Sequence, residues 1–166
     1  DRGYIELKEA IESKQYGEAL MLHCAHRNPS ADENYKTPMA ISNTAIHEID
    51  VLRWLLAEDY ASVQMILPKK TSHTHADLHD PQLLIFQTKS GVTIDLEIFV
   101  NCRFGYDIKC DVVFETAEVG MTDPAYTKIK AAEKNYTPIS PDWQTRFLDA
   151  YDYEFKLWVD SIKNDK

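Results

Sequence analysis

Residues 92–102, read as one strand, constrain the fold more than any other stretch of this chain. Val92, Ile94, Leu96, Ile98 and Val100 alternate with Thr93, Asp95, Glu97, Phe99 and Asn101. A period of two places all the aliphatic side chains on one face of an extended strand. The opposite face carries two carboxylates, so the sheet built from this strand packs one side on a core and keeps the other polar. Residues 83–88 read as a second strand, and Lys89, Ser90 and Gly91 join the two as a hairpin. Phe99, on the polar side, hints that a partner covers part of that face.

Further strands are expected at about 19–26, 62–67, 108–115 and 126–131. Helices are expected at about 4–13, 44–57 and 142–163. In the first, Tyr4, Leu7 and Ile11 fall at helical spacing; in the last, Phe147, Tyr151, Phe155, Trp158 and Ile162 run along one side. Consecutive strands with hairpin-length links predict an α+β fold: an open, mostly antiparallel sheet with helices packed on one face. The 166 residues suit a single domain with a real core, and 44% hydrophobic residues argue for a folded globule.

Several classes are set aside by composition. A net charge of −9 argues against nucleic acid or an anionic membrane as partner. No apolar run is long enough to span a bilayer, and the opening D-R-G-Y-I-E-L-K lacks signal-peptide character. Cys24, Cys102 and Cys110 have no C-x-x-C spacing and are expected as reduced thiols, so the protein is expected in the cytoplasm. The glycines, at 3, 17, 91, 105 and 120, are isolated, so no G-x-G-x-x-G or P-loop can be written. This chain is therefore not expected to hold a dinucleotide by itself.

The chemistry concentrates on the helix at 44–57. Asn43 and His47 lie four residues apart, which stacks them on one helical face, with Asp50 and Trp54 extending the stripe. Ala45, Ile49, Leu52 and Leu56 supply a separate core face. His47 could exchange a proton with a substrate hydroxyl. The plainer alternative makes Ser42 or Asn43 the helix N-cap and His47 a histidine satisfied by a backbone carbonyl. The zincin pattern fails, because position 51 is valine.

On the strand at 19–26, His23 and His26 point to opposite faces, whereas His26 and Asn28 share one and could grip hydroxyls at the strand exit. Tyr106, after Gly105, could close a polar pocket or be structural. His73, His75, His79 and Asp80 resemble metal ligands only in composition; their polar connection reads as solvated, and no metal site is expected.

Taken together, D-R-G-Y, G-E-A-L-M-L-H-C-A-H-R-N-P, H-E-I-D-V-L-R-W-L, D-P-Q, N-C-R-F-G-Y-D-I and W-Q-T-R-F-L-D-A-Y-D carry a specific resemblance. In order and spacing they resemble the C-terminal domain of the Gfo/Idh/MocA oxidoreductase family, within it the bacterial inositol dehydrogenase branch. The resemblance covers essentially the whole chain. It implies an NAD(P)-dependent oxidoreductase acting on a secondary alcohol of inositol or a related polyol. NAD or NADP would be bound by a Rossmann domain that this chain does not contain, so the domain alone is expected to have no turnover. The open sheet would build a homo-oligomer. Within the family's D-x-x-x-H pair, His47 becomes the catalytic acid/base, and Asn43 stands where the family has aspartate. His26, Asn28 and Tyr106 would hold the substrate ring, with Tyr151 contributing from the last helix. Asparagine cannot supply a negative charge to an imidazolium. A non-catalytic polyol-binding or oligomerisation module therefore stands as the alternative.

Overall fold

The core is the buried face of a six-stranded sheet, ordered β2-β3-β4-β1-β5-β6, against which two helices pack. The structure is a computed structural model and describes residues 1–122 and 129–164. The elements are α1 (Arg2–Ser13), β1 (Ala19–Arg27), α2 (Ile46–Leu56), β2 (Tyr60–Ile66), β3 (Gln82–Thr88), β4 (Thr93–Phe99), β5 (Asp107–Phe114), β6 (Glu118–Gly120), β7 (Ile129–Ala131), β8 (Lys134–Tyr136) and α3 (Trp143–Lys163). The expected strand at 126–131 is seen only as β7, which pairs with β8; its first residues lie outside the described ones.

Alternation decides the sheet's two faces. Leu22 and Cys24 of β1, Leu84 and Phe86 of β3, Ile94, Leu96 and Ile98 of β4, and Cys110 and Val112 of β5 are buried together. Leu7 from α1 and Leu52 and Leu55 from α2 close over them, and removing this apolar surface from water is the main force holding the layers together. The β3–β4 hairpin forms as expected: Gly91 takes a φ of +98°, and the Thr88 N–H reaches the Val92 carbonyl at 3.0 Å.

Among the described residues the strand pairing is antiparallel with one exception. β1 lies between β4 and β5, parallel to β4 and antiparallel to β5. The chain runs from β1 to its parallel neighbour β4 through α2, β2 and β3, a long connection of the kind a parallel pair requires.

On the open face, Arg27 lies between two carboxylates. Its Nε and Nη2 donate to Glu97 at 2.7 and 2.6 Å, and its Nη1 donates to Asp107 at 2.6 Å. The bidentate bond to Glu97 is the main reason its guanidinium binds its proton more tightly than usual, against the opposing cost of burial. His23 pairs with Asp95 on this face too. A groove of about 480 Å³ runs between these residues, Phe99 and Lys109.

Four expectations need correction. Asn43 does not cap a helix: it lies inside a π-helical turn, Ala40–Ala45, that runs directly into α2. The buried stripe of α2 is Ala45, Glu48, Leu52 and Leu55, whereas Ile49 and Leu56 are only partly buried. Rotating the stripe in this way puts a carboxylate among the core residues. The strand expected at 92–102 stops at Phe99, because Val100 and Asn101 give their N–H groups to Asp80, at 3.0 Å each, instead of to a sheet ladder. Finally, none of α3 is buried; Phe155, Trp158 and Ile162 form an exposed stripe. No helix among the described residues is long and apolar enough to cross a membrane.

Candidate active site

The site forms where the C-terminal end of β1 meets α2. His26 sits in the middle of the sheet, opposite Ile98 on one side and Ile108 on the other, and its side chain points into the helical layer. It is 5% exposed, and Glu48 of α2 is 4% exposed. Their contact is bifurcated: Nδ1 of His26 lies 2.8 Å from both Oε1 and Oε2 of Glu48. A carboxylate is tolerated at such depth only with a partner of this kind.

His47 follows from the same helix one residue earlier, which turns it away from the core. It is exposed and makes no hydrogen bond among the described residues. Its imidazole stacks on that of His26, with centroids 6.2 Å apart and planes inclined by 24°. Asn43, one turn earlier, is also exposed, and its Oδ1 accepts the Ser42 hydroxyl at 2.7 Å. The π-helical turn that carries it is pinned by Tyr35, whose hydroxyl donates to the Met39 carbonyl at 2.8 Å. The Thr44 hydroxyl donates to the same Tyr35 oxygen at 2.6 Å. Insertions of this type recur at functional sites, because they turn the following residues relative to a regular helix.

Tyr106 closes the third side. Its ring meets His26 edge-on at 5.5 Å, and its hydroxyl lies 3.4 Å from His26 Nε2. Burial, reinforced by the charge of Glu48, raises its pKa well above that of free tyrosine, so the phenol keeps its proton. Gly105 makes this placement feasible: its φ is +133°, and its N-terminal neighbours form a tight turn tied to the β1 exit. There the Cys102 N–H donates to the Asn28 carbonyl at 3.0 Å, and the Arg103 N–H to that of Pro29 at 3.1 Å. From α3, Phe147 packs against Tyr106 at 6.1 Å.

Of the residues singled out from sequence, His26, His47 and Tyr106 come together. Asn28 lies at the strand exit with its backbone committed to the turn and its side-chain amide without a partner among the described residues. Tyr151 does not join His26: it is 42% exposed and packs on Trp143 at 6.0 Å. His23 points to the open face. The polar loop spreads its histidines apart. His73 lies 3.0 Å from an Arg103 nitrogen, and His79 Nε2 donates to the Pro68 carbonyl at 2.7 Å. Among the described residues no group of His, Cys, Asp or Glu could hold a metal.

Glu48 was missed. Its signal was present in the sequence: a carboxylate three residues after Ala45 and four before Leu52 falls within a core stripe and must find a partner.

A model of the GFO/IDH/MocA C-terminal domain matches residues 4–119. The chain belongs to this family. Inositol 2-dehydrogenase of Pseudomonas fluorescens (strain SBW25) is 51% identical to it over 163 residues, 98% of this chain and 48% of that protein. The corresponding protein of Pseudomonas syringae pv. syringae (strain B728a) is 52% identical over the same length. Among solved structures, myo-inositol dehydrogenase from Lactobacillus casei, in complex with NAD(H) and myo-inositol, matches 100% of this chain with a TM-score of 0.95 and 32% identity. The match takes in 50% of that chain. A scyllo-inositol dehydrogenase from Lactobacillus casei, at 19% identity and a TM-score of 0.84, shares the fold. This GFO/IDH/MocA domain thus spans about half the length of the curated relatives it matches.

Proposed function

We propose that this chain is the substrate-binding domain of an NAD(P)-dependent dehydrogenase that oxidises a ring secondary alcohol of inositol, or of a related polyol, to a ketone. The observation that carries this reading is the pair of stacked imidazoles, one buried and tied to a carboxylate, the other exposed and without a partner among the described residues. His47 takes the hydroxyl proton as the adjacent carbon loses its hydride, a role suited to an imidazole at neutral pH. His26, Tyr106 and Asn28 grip neighbouring hydroxyls and hold the ring in register, with Tyr151 at the margin.

Among the described residues the positive-φ glycines, Gly17, Gly91 and Gly105, each stand alone in a turn, a poor cradle for a pyrophosphate. NAD or NADP, held by a Rossmann domain outside this chain, would supply the hydride acceptor. The isolated domain accordingly has no turnover.

The protein assembles as a homo-oligomer through the open sheet face, where an apolar Phe99 lies among paired charges. Its three free cysteines fit a reducing compartment, the cytoplasm.

A second reading, a non-catalytic polyol-binding or assembly module, is favoured by Asn43 in the position where the family carries aspartate. The test is turnover by the intact protein with NAD⁺ or NADP⁺ against a panel of inositols and hexoses. Reduction of the cofactor by an inositol supports the dehydrogenase. Cofactor binding without turnover across the panel supports the module.

A further inference from the structure

Resting on the function proposed above, we infer that Glu48 is a positioning residue. It fixes the His26 imidazole with its proton on Nδ1, so that Nε2 faces the site as a hydrogen-bond acceptor for a substrate hydroxyl.

Three observations converge on this assignment. Both carboxylate oxygens of Glu48 lie 2.8 Å from Nδ1, and an ionised carboxylate can only accept, so the proton between them belongs to the ring. At the opposite edge, Nε2 faces the Tyr106 hydroxyl at 3.4 Å, longer than a good hydrogen bond. Tyr106 keeps its proton because it is buried beside Glu48, so it approaches Nε2 as a donor. The ring is therefore held firmly at one edge and loosely at the other.

The loose edge is the one that a ligand can use. A ring hydroxyl inserted beside Nε2 donates its proton to that nitrogen and accepts from the Tyr106 hydroxyl. Both groups improve on their present contact, and the substrate oxygen is held from two directions. A hydroxyl missing at this point, or one of inverted configuration, leaves Nε2 and the phenol as they were. Specificity then comes from forfeited hydrogen bonds. A purely structural link between α2 and β1 would not need a buried carboxylate bonded to an imidazole. An apolar pair of similar volume would fasten the two elements at least as well.

The test uses the intact protein, with myo-inositol as the probe. Glu48→Leu removes the acceptor and is expected to raise KM by about 10–100-fold, by analogy with the loss of a carboxylate that orients a metal-ligating histidine. kcat falls much less, because His47 is untouched. Glu48→Gln, whose Oε1 still accepts from Nδ1, recovers most of the KM. Equal losses in the two variants, or an unchanged KM in Glu48→Leu, overturn the inference.

Nitrogen NMR of the His26 ring in the wild-type protein decides the matter independently of folding by either variant. A proton on Nδ1 alone is expected, and one on Nε2 overturns the assignment. Wild-type protein without turnover on any inositol would count against the proposed function; a proton on Nε2 counts against Glu48 alone.

Discussion

The imidazoles of His26 and His47 lie nearly parallel with centroids 6.2 Å apart, although one belongs to a central strand of the sheet and the other to the helix above it. The contact divides the labour. His26 is locked by Glu48, and His47 is left exposed to solvent and to whatever part of the protein approaches that side.

His47→Ala in the intact protein should reduce kcat by about 10²–10⁴-fold, the contribution typical of a positioned general base. Inositol binding, which the proposed function assigns to His26 and Tyr106, should change little. Single-turnover cofactor reduction, measured beside equilibrium inositol binding, separates the two. Wild-type turnover in this variant would remove His47 from the chemistry.

Asn43→Asp should raise turnover by roughly tenfold, since a carboxylate worth one pKa unit of stabilisation to the forming imidazolium contributes about 1.4 kcal/mol. Asn43 now spends its side-chain oxygen on the Ser42 hydroxyl at 2.7 Å. Steady-state kinetics across pH would show the gain. A flat response would mean that asparagine suffices.

Gly105→Ala should destabilise the fold by about 1–3 kcal/mol, the usual cost of forcing a side chain into such backbone. At a φ of +133° its new methyl would stand 2.6 Å from Ile139 Cγ2 and 3.1 Å from the Ser140 carbonyl. Because Ser140 also accepts the Tyr106 N–H at 2.7 Å, the displacement should reach Tyr106 and raise KM. Thermal melts and substrate titrations test the two effects.

Asp80→Asn should cost about 1–3 kcal/mol, because one amide oxygen cannot serve both the Val100 and Asn101 N–H groups, now bound at 3.0 Å each. Burial raises the Asp80 carboxyl above its ordinary value of 3.8, against the pull of those two donors. A raised acid binds its proton more readily in the folded state than in the unfolded one. The wild-type protein should therefore gain stability relative to Asp80→Asn as pH falls from the folded value towards 3.8. Denaturant melts at several pH values give the trend.

The sequence by itself determined the local elements and the family resemblance. The alternation of Val92 to Val100 and the Lys89-Ser90-Gly91 turn are short-range patterns, and β4 and its hairpin with β3 follow from them. So does the split between His23 and His26, since neighbouring strand positions cannot choose their faces independently.

Only the tertiary structure decided how those elements meet. The parallel pairing of β1 with β4 joins segments that are far apart in sequence, and no local pattern encodes it. The π-helical turn at Ala40–Ala45 shifts the phase of α2, which moved the core stripe onto Glu48 and Leu55 and took Asn43 out of the cap. Tyr151 is a weaker candidate than Tyr106 in the sequence, a second phenol near a motif, and the bridge to Ser140 draws only Tyr106 towards His26. Periodicity reports which side of an element is apolar. The depth at which a polar group is buried, and the partner it finds there, depend on contacts between elements that are distant in the chain.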